Sequence, residues 1–178
     1  MIRDNFKKVG IVNLILIELV LIYDVIRLFQ GDSLFGQATI IVHILGYFVG
    51  LLYAFSGYKK DAAKYYKLYM LAVLVAEVMS IFNLAPRTQP DVISYVLRGA
   101  CIVFAILLTF AKDLGSKTTL SICLASLFIH IFNLVRIIIN ANNKLAAITN
   151  SVSDLALIII ALVFILAKYE DKKARGTN

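Results

Sequence analysis

Ionisable side chains lie inside stretches of this sequence that are otherwise apolar enough to cross a lipid bilayer. Glu18, Glu77 and Asp154 are examples. A charged side chain at the centre of a bilayer costs roughly 2.5–3.5 kcal/mol on insertion scales, so such groups usually face other protein or a water-filled space. The chemistry they indicate is the binding of a proton, another small ion or a polar solute in the interior of a membrane protein.

A polar stripe runs through the apolar stretch 121–137 and its flanks. Its members follow one another at steps of three and four residues, so they share one face of a helix. They are Thr119, Cys123, Ser126, His130 and Asn133, continued by position 136 or 137. A lipid-facing helix has no use for such a stripe, which therefore predicts a face turned toward protein or water.

The rest of the chain supplies further apolar stretches that would surround this one. The sequence has 178 residues, of which 61% are hydrophobic, and its mean hydropathy is +0.86. A soluble domain is about 45–50% apolar. The apolar residues form runs of about 20, the length that crosses about 30 Å of hydrocarbon. The predicted spans are 9–29, 37–58, 66–85, 92–111, 118–139 and 152–168. We expect an all-α fold, a single membrane domain of six transmembrane helices.

Basic residues are distributed unevenly between the two sides of the predicted bundle. The net charge is +7, and thirteen of the eighteen Lys and Arg residues fall before the first span, after the even-numbered spans or close to those ends. The positive-inside rule makes that side cytoplasmic, and both termini lie there if there are six spans. This distribution indicates a multi-pass protein of a bacterial-type cytoplasmic membrane rather than a nucleic-acid-binding protein.

Weak internal similarity divides the chain into three predicted helical hairpins, 1–60, 61–113 and 114–178. The odd-numbered spans share an aromatic residue, then Asp or Asn, then an aliphatic residue and a later Arg. The Asp or Asn positions are Asp24, Asn83 and Asn133. Each even-numbered span carries one ionisable residue at a matching place, and these are His43, Arg98 and Asp154. Repeats of this kind are common in transport proteins, where the site forms at the repeat interface.

These positions define a candidate site in two layers. Glu18 and Glu77 form a predicted inner pair with no basic residue at their depth, except His130 above them. The outer layer offers opposite charges, and we expect ion pairs between Asp154 and Arg98 and between Asp24 and Arg27. The predicted ion- or solute-binding residues are Glu18, Asp24, His43, Glu77, Ser80, Asn83, Arg98, His130, Asn133 and Asp154. A buried ion-pair network that only holds the hairpins together is the alternative interpretation.

Three smaller features concern packing. Gly46 and Gly50, four residues apart, predict a close approach between helices, within the chain rather than between copies. Tyrosines between 53 and 69 predict an interfacial aromatic belt at the cytoplasmic end. Cys101 and Cys123 fall at different depths, which argues against a disulfide.

Enzyme motifs are absent from the sequence. There is no G-x-S-x-G, H-E-x-x-H, P-loop or Gly-rich nucleotide-binding pattern. His and Glu residues suit a metal ion chemically, but here they come from separate helices without diagnostic spacing. We therefore expect neither an enzyme nor a metal or other cofactor.

Two functional hypotheses follow. The first is a small transporter or channel that moves a small ion or polar solute through the polar interior of the bundle. The second is a ligand-binding or accessory subunit that acts with a larger membrane partner and has no flux of its own. The lipid bilayer is the common partner, and assembly with further copies of the chain fits both hypotheses.

Overall fold

The computed structural model describes residues 2–29, 34–55, 63–82, 92–140 and 144–176, with side chains described from residue 15 onward except at positions 35, 80, 140 and 144–150. Within these ranges the chain is all-helical. Its six helices are α1 (Ile2–Leu28), α2 (Leu34–Phe55), α3 (Ala63–Phe82), α4 (Val92–Thr109), α5 (Lys117–Asn140) and α6 (Lys144–Ala174).

Four of the helices are long and apolar enough to cross a membrane, as judged on the described residues. The qualifying stretches are Gly36–Phe55, Val92–Thr109, Lys117–Ile139 and Ser151–Ala174. The expectation of an all-helical membrane protein is therefore supported.

Helix α6 has the most interior position in the bundle. Each helix packs against the next one in the chain, and α1 also packs against α6, which closes a ring. Helix α6 makes further contacts with α2 and α3. In its apolar stretch 61% of the residues are buried, against 22–39% in the other three stretches. Its polar side chains therefore meet several neighbours at once.

Close helix contacts in the bundle depend on Gly46 and Gly50 of α2. A Cβ atom at Gly46 would lie 3.3 Å from the Cβ of Ala72, and one at Gly50 would lie 3.3 Å from the ring of Tyr69. Both contacts are made within the chain, as the sequence predicted. A larger residue at either position would push α2 away from α3.

Aromatic side chains fill the half of the bundle that lies toward the C-terminal end of α6. Tyr53, Tyr66 and Tyr69 are no more than 1% exposed, and Phe164 is fully buried. The ring of Phe164 meets Tyr53 edge-on at 4.6 Å and Tyr69 at 5.4 Å between centroids. The prediction of an interfacial belt is thus wrong for these three tyrosines, because they point into the bundle instead of toward headgroups.

A short loop between α4 and α5 is tied to α6 at this same end. Ser116 caps α5 by accepting a hydrogen bond from the Thr119 backbone N–H at 3.1 Å. The Lys172 ammonium donates to the Asp113 carboxylate at 2.6 Å. Gly115 lies so close to α6 that a Cβ there would be 2.9 Å from the Lys168 carbonyl oxygen. The loop is therefore held by both charge and shape.

Candidate functional site

The inward face of α1 sets the first part of the site. Ile17, Val20, Asp24 and Arg27 are buried and recur at steps of three and four residues, which places them on one face of the helix. Asp24 is fully buried, so the surrounding helices must supply its partners.

Three neighbours surround the Asp24 carboxylate. The Ser153 hydroxyl donates a hydrogen bond to Oδ1 at 2.6 Å, and Arg27 Nη1 lies 3.5 Å from the same oxygen. Nδ1 of His43 lies 3.5 Å from Oδ2. The predicted Asp24–Arg27 pair therefore forms, and it is joined to α2 and α6.

His43 links this group to a second set of charges. Its Nε2 lies 3.3 Å from Oδ1 of Asp154. Nη2 of Arg98 lies 2.8 Å from Oδ2 of the same carboxylate, so the predicted Asp154–Arg98 pair is also confirmed. The three ionisable residues that the sequence aligned on the even helices are in direct contact.

Arg98 continues the sequence of contacts toward α5. Its Nη1 donates to Oε2 of Glu77 at 3.1 Å, and Nε2 of His130 lies 2.6 Å from Oε1. Nδ1 of His130 lies 2.8 Å from the Ser126 carbonyl oxygen. The two prongs of one guanidinium thus join two carboxylates.

Together these side chains form a line of alternating basic and acidic groups, here called the ion-pair chain. In order its members are Arg27, Asp24, His43, Asp154, Arg98, Glu77 and His130. Each of the six helices contributes at least one member, and no member is more than 9% exposed. Protons can be held or shared between each imidazole and the carboxylate beside it, whereas the Arg98 guanidinium between Asp154 and Glu77 stays protonated.

The imidazoles are the members whose charge changes most readily, since an ordinary His titrates near neutral pH. Both ring nitrogens of His43 face carboxylate oxygens, and those of His130 face a carboxylate and a carbonyl oxygen. An imidazole can donate toward two acceptors only when both nitrogens carry hydrogen. At His130 the two contacts therefore require hydrogen on both nitrogens, or a proton shared with Glu77. At His43 each nitrogen lies within ion-pair distance of a carboxylate but outside hydrogen-bond geometry.

The end of the ion-pair chain at His130 also contains three side chains of types that bind metal ions. Ligand atoms of Glu77, Cys101 and His130 lie within 4.8 Å of one another, and Cys101 Sγ is 3.6 Å from His130 Nδ1. The 2.6 Å between Glu77 and His130 is hydrogen-bond length. Two ligands each about 2 Å from one zinc ion would stand farther apart. The Arg98 guanidinium also places a positive charge beside the Glu77 carboxylate, where it would repel a metal cation. This geometry therefore suits a proton better than a metal.

The predicted pair of Glu18 and Glu77 does not form. Glu18 lies on the exposed face of α1, beside the buried Ile17. Glu18 stands six residues before Asp24, and six steps of about 100° rotate a side chain by about 240° around a helix. Glu18 and Asp24 therefore cannot both lie on the inward face of α1.

The prediction that Glu77 lacks a basic partner at its depth is also wrong. The long Arg98 side chain reaches from the level of Asp154 to that of Glu77, and His130 contacts the same carboxylate. The two predicted layers are one connected group. Counting residues along helix axes missed this, because an arginine extends well beyond its own turn.

The remaining predicted positions have mixed outcomes. Asn133 is buried, as the stripe on α5 predicted, together with Thr119, Cys123, Ser126 and His130. Asn83 lies outside the described residues, and the side chain of Ser80 is also outside them.

Sequence reasoning missed two contributors to the site. Ser153, which precedes Asp154, donates to Asp24, and Cys101 lies beside His130. Cys101 stands three residues after Arg98, a helical spacing that placed it on the same face. No comparable signal marked Ser153.

Comparison with known proteins adds no further assignment: no protein-family model, curated protein or solved structure matches this chain.

Proposed function

We propose that this protein is a small multi-pass membrane transporter in which the ion-pair chain carries protons, alone or in exchange with a small polar solute. In this proposal α1 and α3 join the four apolar helices as membrane spans, and both termini lie in the cytoplasm of a bacterial cell. The packing of each helix against the next supports the six-span arrangement. The uneven distribution of basic residues supports the orientation.

The observation that carries the proposal is the position of His43 between two carboxylates on different helices. One ring nitrogen faces Asp24 on α1 and the other faces Asp154 on α6. A ring that has lost one proton can donate to only one of the two acids. Each proton that leaves or arrives therefore weakens or restores one of the two contacts that His43 makes from α2.

The charge balance of the ion-pair chain supports the same view. Three carboxylates stand against two guanidiniums, so two neutral imidazoles leave one negative charge and two protonated imidazoles leave one positive charge. The charge of the whole group therefore depends on how many protons its two imidazoles hold.

The meeting of His43, Arg98 and Asp154 supports the division into three hairpins. Each comes from a different even helix. The Asp154 carboxylate contacts both of the other side chains, His43 at 3.3 Å and Arg98 at 2.8 Å. In transport proteins built from repeats, the site forms where the repeats meet. We propose this junction as the centre of the transport site.

Flux measurements on purified protein in liposomes test the proposal. A pH-sensitive dye inside the vesicles should report proton movement when a pH difference is imposed. His43→Gln and Glu77→Gln should each reduce the rate at least tenfold, because each removes a group that can take up and release a proton. Glu18→Gln is the matched control, since it changes an exposed carboxyl of the same type and should keep the rate. Equal rates for Glu77→Gln and Glu18→Gln would show that the ion-pair chain does not carry protons.

A binding or accessory subunit without flux is the second candidate. It is favoured by the fact that each charged member of the ion-pair chain already has an oppositely charged neighbour. Purification from native membranes separates the two functions. A stoichiometric larger partner, together with no proton movement by the isolated chain, would favour the accessory subunit.

A further inference from the structure

Buried polar atoms along α5 lie outside the ion-pair chain and are not explained by it. Ser126 Oγ and the side-chain oxygen of Asn133 have no hydrogen-bond partner within the described part of the protein. Both residues are at most 5% exposed. A buried polar group left without a partner costs about 1–3 kcal/mol. Their surroundings therefore favour a small hydrogen-bonding ligand.

These two atoms flank His130 on the same face of the helix. Ser126 is four residues before His130, or about 6 Å along the axis, and Asn133 is three residues after it, or about 4.5 Å. Both side chains are short and buried, so a water molecule suits them better than a larger solute.

The same pattern continues toward the aromatic half of the bundle. The Tyr66 hydroxyl also has no hydrogen-bond partner among the described residues, and Tyr66 and Cys123 belong to one buried cluster. Cys123 is fully buried one turn before Ser126. Tyr69, on the same helix as Tyr66, differs in that its hydroxyl donates to the Leu157 carbonyl oxygen at 2.6 Å.

We infer that a single file of water molecules runs along this face of α5 from Tyr66 and Cys123 to Ser126, and that a further water lies beside Asn133. The His130 ring lies between them, with its nitrogens bonded to Glu77 and to the Ser126 carbonyl oxygen. Its role in delivering protons to the Glu77–His130 pair rests on the proposed function. The presence of the water does not.

X-ray radiolytic hydroxyl-radical labelling of the unmodified protein in lipid nanodiscs tests for the water. Radicals form from water in place, so internal waters label the side chains they touch even where no larger reagent enters. Tyr66 should be labelled several-fold faster than Tyr69, an equally buried tyrosine whose hydroxyl is bonded to the backbone. Equal and low labelling of the two tyrosines would overturn the inference.

A blocking substitution tests the delivery of protons. Ser126→Leu should fill the file, reduce the labelling of Tyr66 to that of Tyr69 and reduce proton flux at least tenfold. Gly99→Leu is the control, because a side chain there begins in open space. Retained flux and labelling in Ser126→Leu would overturn the inference. If this variant does not fold, the labelling of the unmodified protein still decides whether the file exists.

The two proposals fail in distinguishable ways. Strong Tyr66 labelling without any proton flux would leave the water file standing and reject the transport function. Proton flux with equal labelling of Tyr66 and Tyr69 would keep the transport function and reject the file.

Discussion

The two halves of the bundle are held together by different physics. His43 and Tyr53 lie ten residues, or about 15 Å, apart on α2. Asp154 and Phe164 are separated by the same distance on α6. At the first level, that of His43 and Asp154, the helices contact one another through charged side chains, each of which needs an oppositely charged partner. At the second level, that of Tyr53 and Phe164, they contact one another through aromatic rings that must fit together in shape. Function is therefore expected at the charged level, and the aromatic level gives it a firm base.

The largest effect should come from removing one charge at the first level. Asp154→Asn leaves Arg98 and His43 without their shared acid, and breaking a buried pair in this way costs about 3–5 kcal/mol. Unfolding in detergent micelles measures this loss. Glu18→Gln is the control and should not reduce stability, because it replaces an exposed carboxyl of α1 by a neutral amide. Equal stability of the two variants would remove the distinction between the levels.

A smaller loss is expected where shape alone is at stake. Gly115→Ala places a Cβ 2.9 Å from the Lys168 carbonyl oxygen, and such overpacking costs about 1–3 kcal/mol. Gly99→Ala is the matched control, because nothing lies within 4 Å of its added Cβ. Alanine in the middle of a helix is favoured over glycine by about 0.5–1 kcal/mol. The same unfolding assay should therefore show changes of opposite sign, and two changes of the same sign would contradict the tight contact.

The tyrosines allow a finer comparison within the aromatic level. Tyr69→Phe removes a hydrogen bond to Leu157 and should cost about 0.5–1.5 kcal/mol. Tyr66→Phe removes a hydroxyl that bonds to no described residue and should cost less. Thermal unfolding of the two variants checks the order, and a larger loss for Tyr66→Phe would mean that its hydroxyl has a strong partner.

The smallest effect concerns the surface ion pair that ties the α4–α5 loop to α6. The hydrogen bond from Lys172 holds the pKa of the Asp113 carboxyl below its ordinary value of 3.8. A lowered pKa stabilises the fold above the ordinary value, and this is lost as the pH falls through the lowered one. Asp113→Asn should therefore reduce stability at pH 7, in low salt more than in high salt. At pH 3 the difference from the unmodified protein should shrink, and a difference that grows there would contradict the pairing.

The sequence predicted the elements better than their rotation. Apolar run length located the helices, and steps of three and four located the buried stripe on α5. The Asp154–Arg98 pair followed from opposite charges at matching depth. Glu18 was misplaced because depth was counted without rotation, since an offset of six residues changes the face.

Reach and tertiary direction were the other missing quantities. A sequence does not show that one guanidinium spans two carboxylates, as Arg98 does. Nor does it show whether a tyrosine near a helix end points inward or toward headgroups, which depends on how neighbouring helices pack. These are properties of the assembled bundle and cannot be derived from a single helix.

The interior position of α6 has a consequence for biosynthesis. This helix leaves the ribosome after its five neighbours, yet it carries the aspartate that His43 and Arg98 require. Until it arrives, those bases sit in a partly built assembly without their acid. Of these six helices, the one made after the other five is thus the one that holds them together, so chains cut short before Asp154 should be recognised as incomplete and degraded.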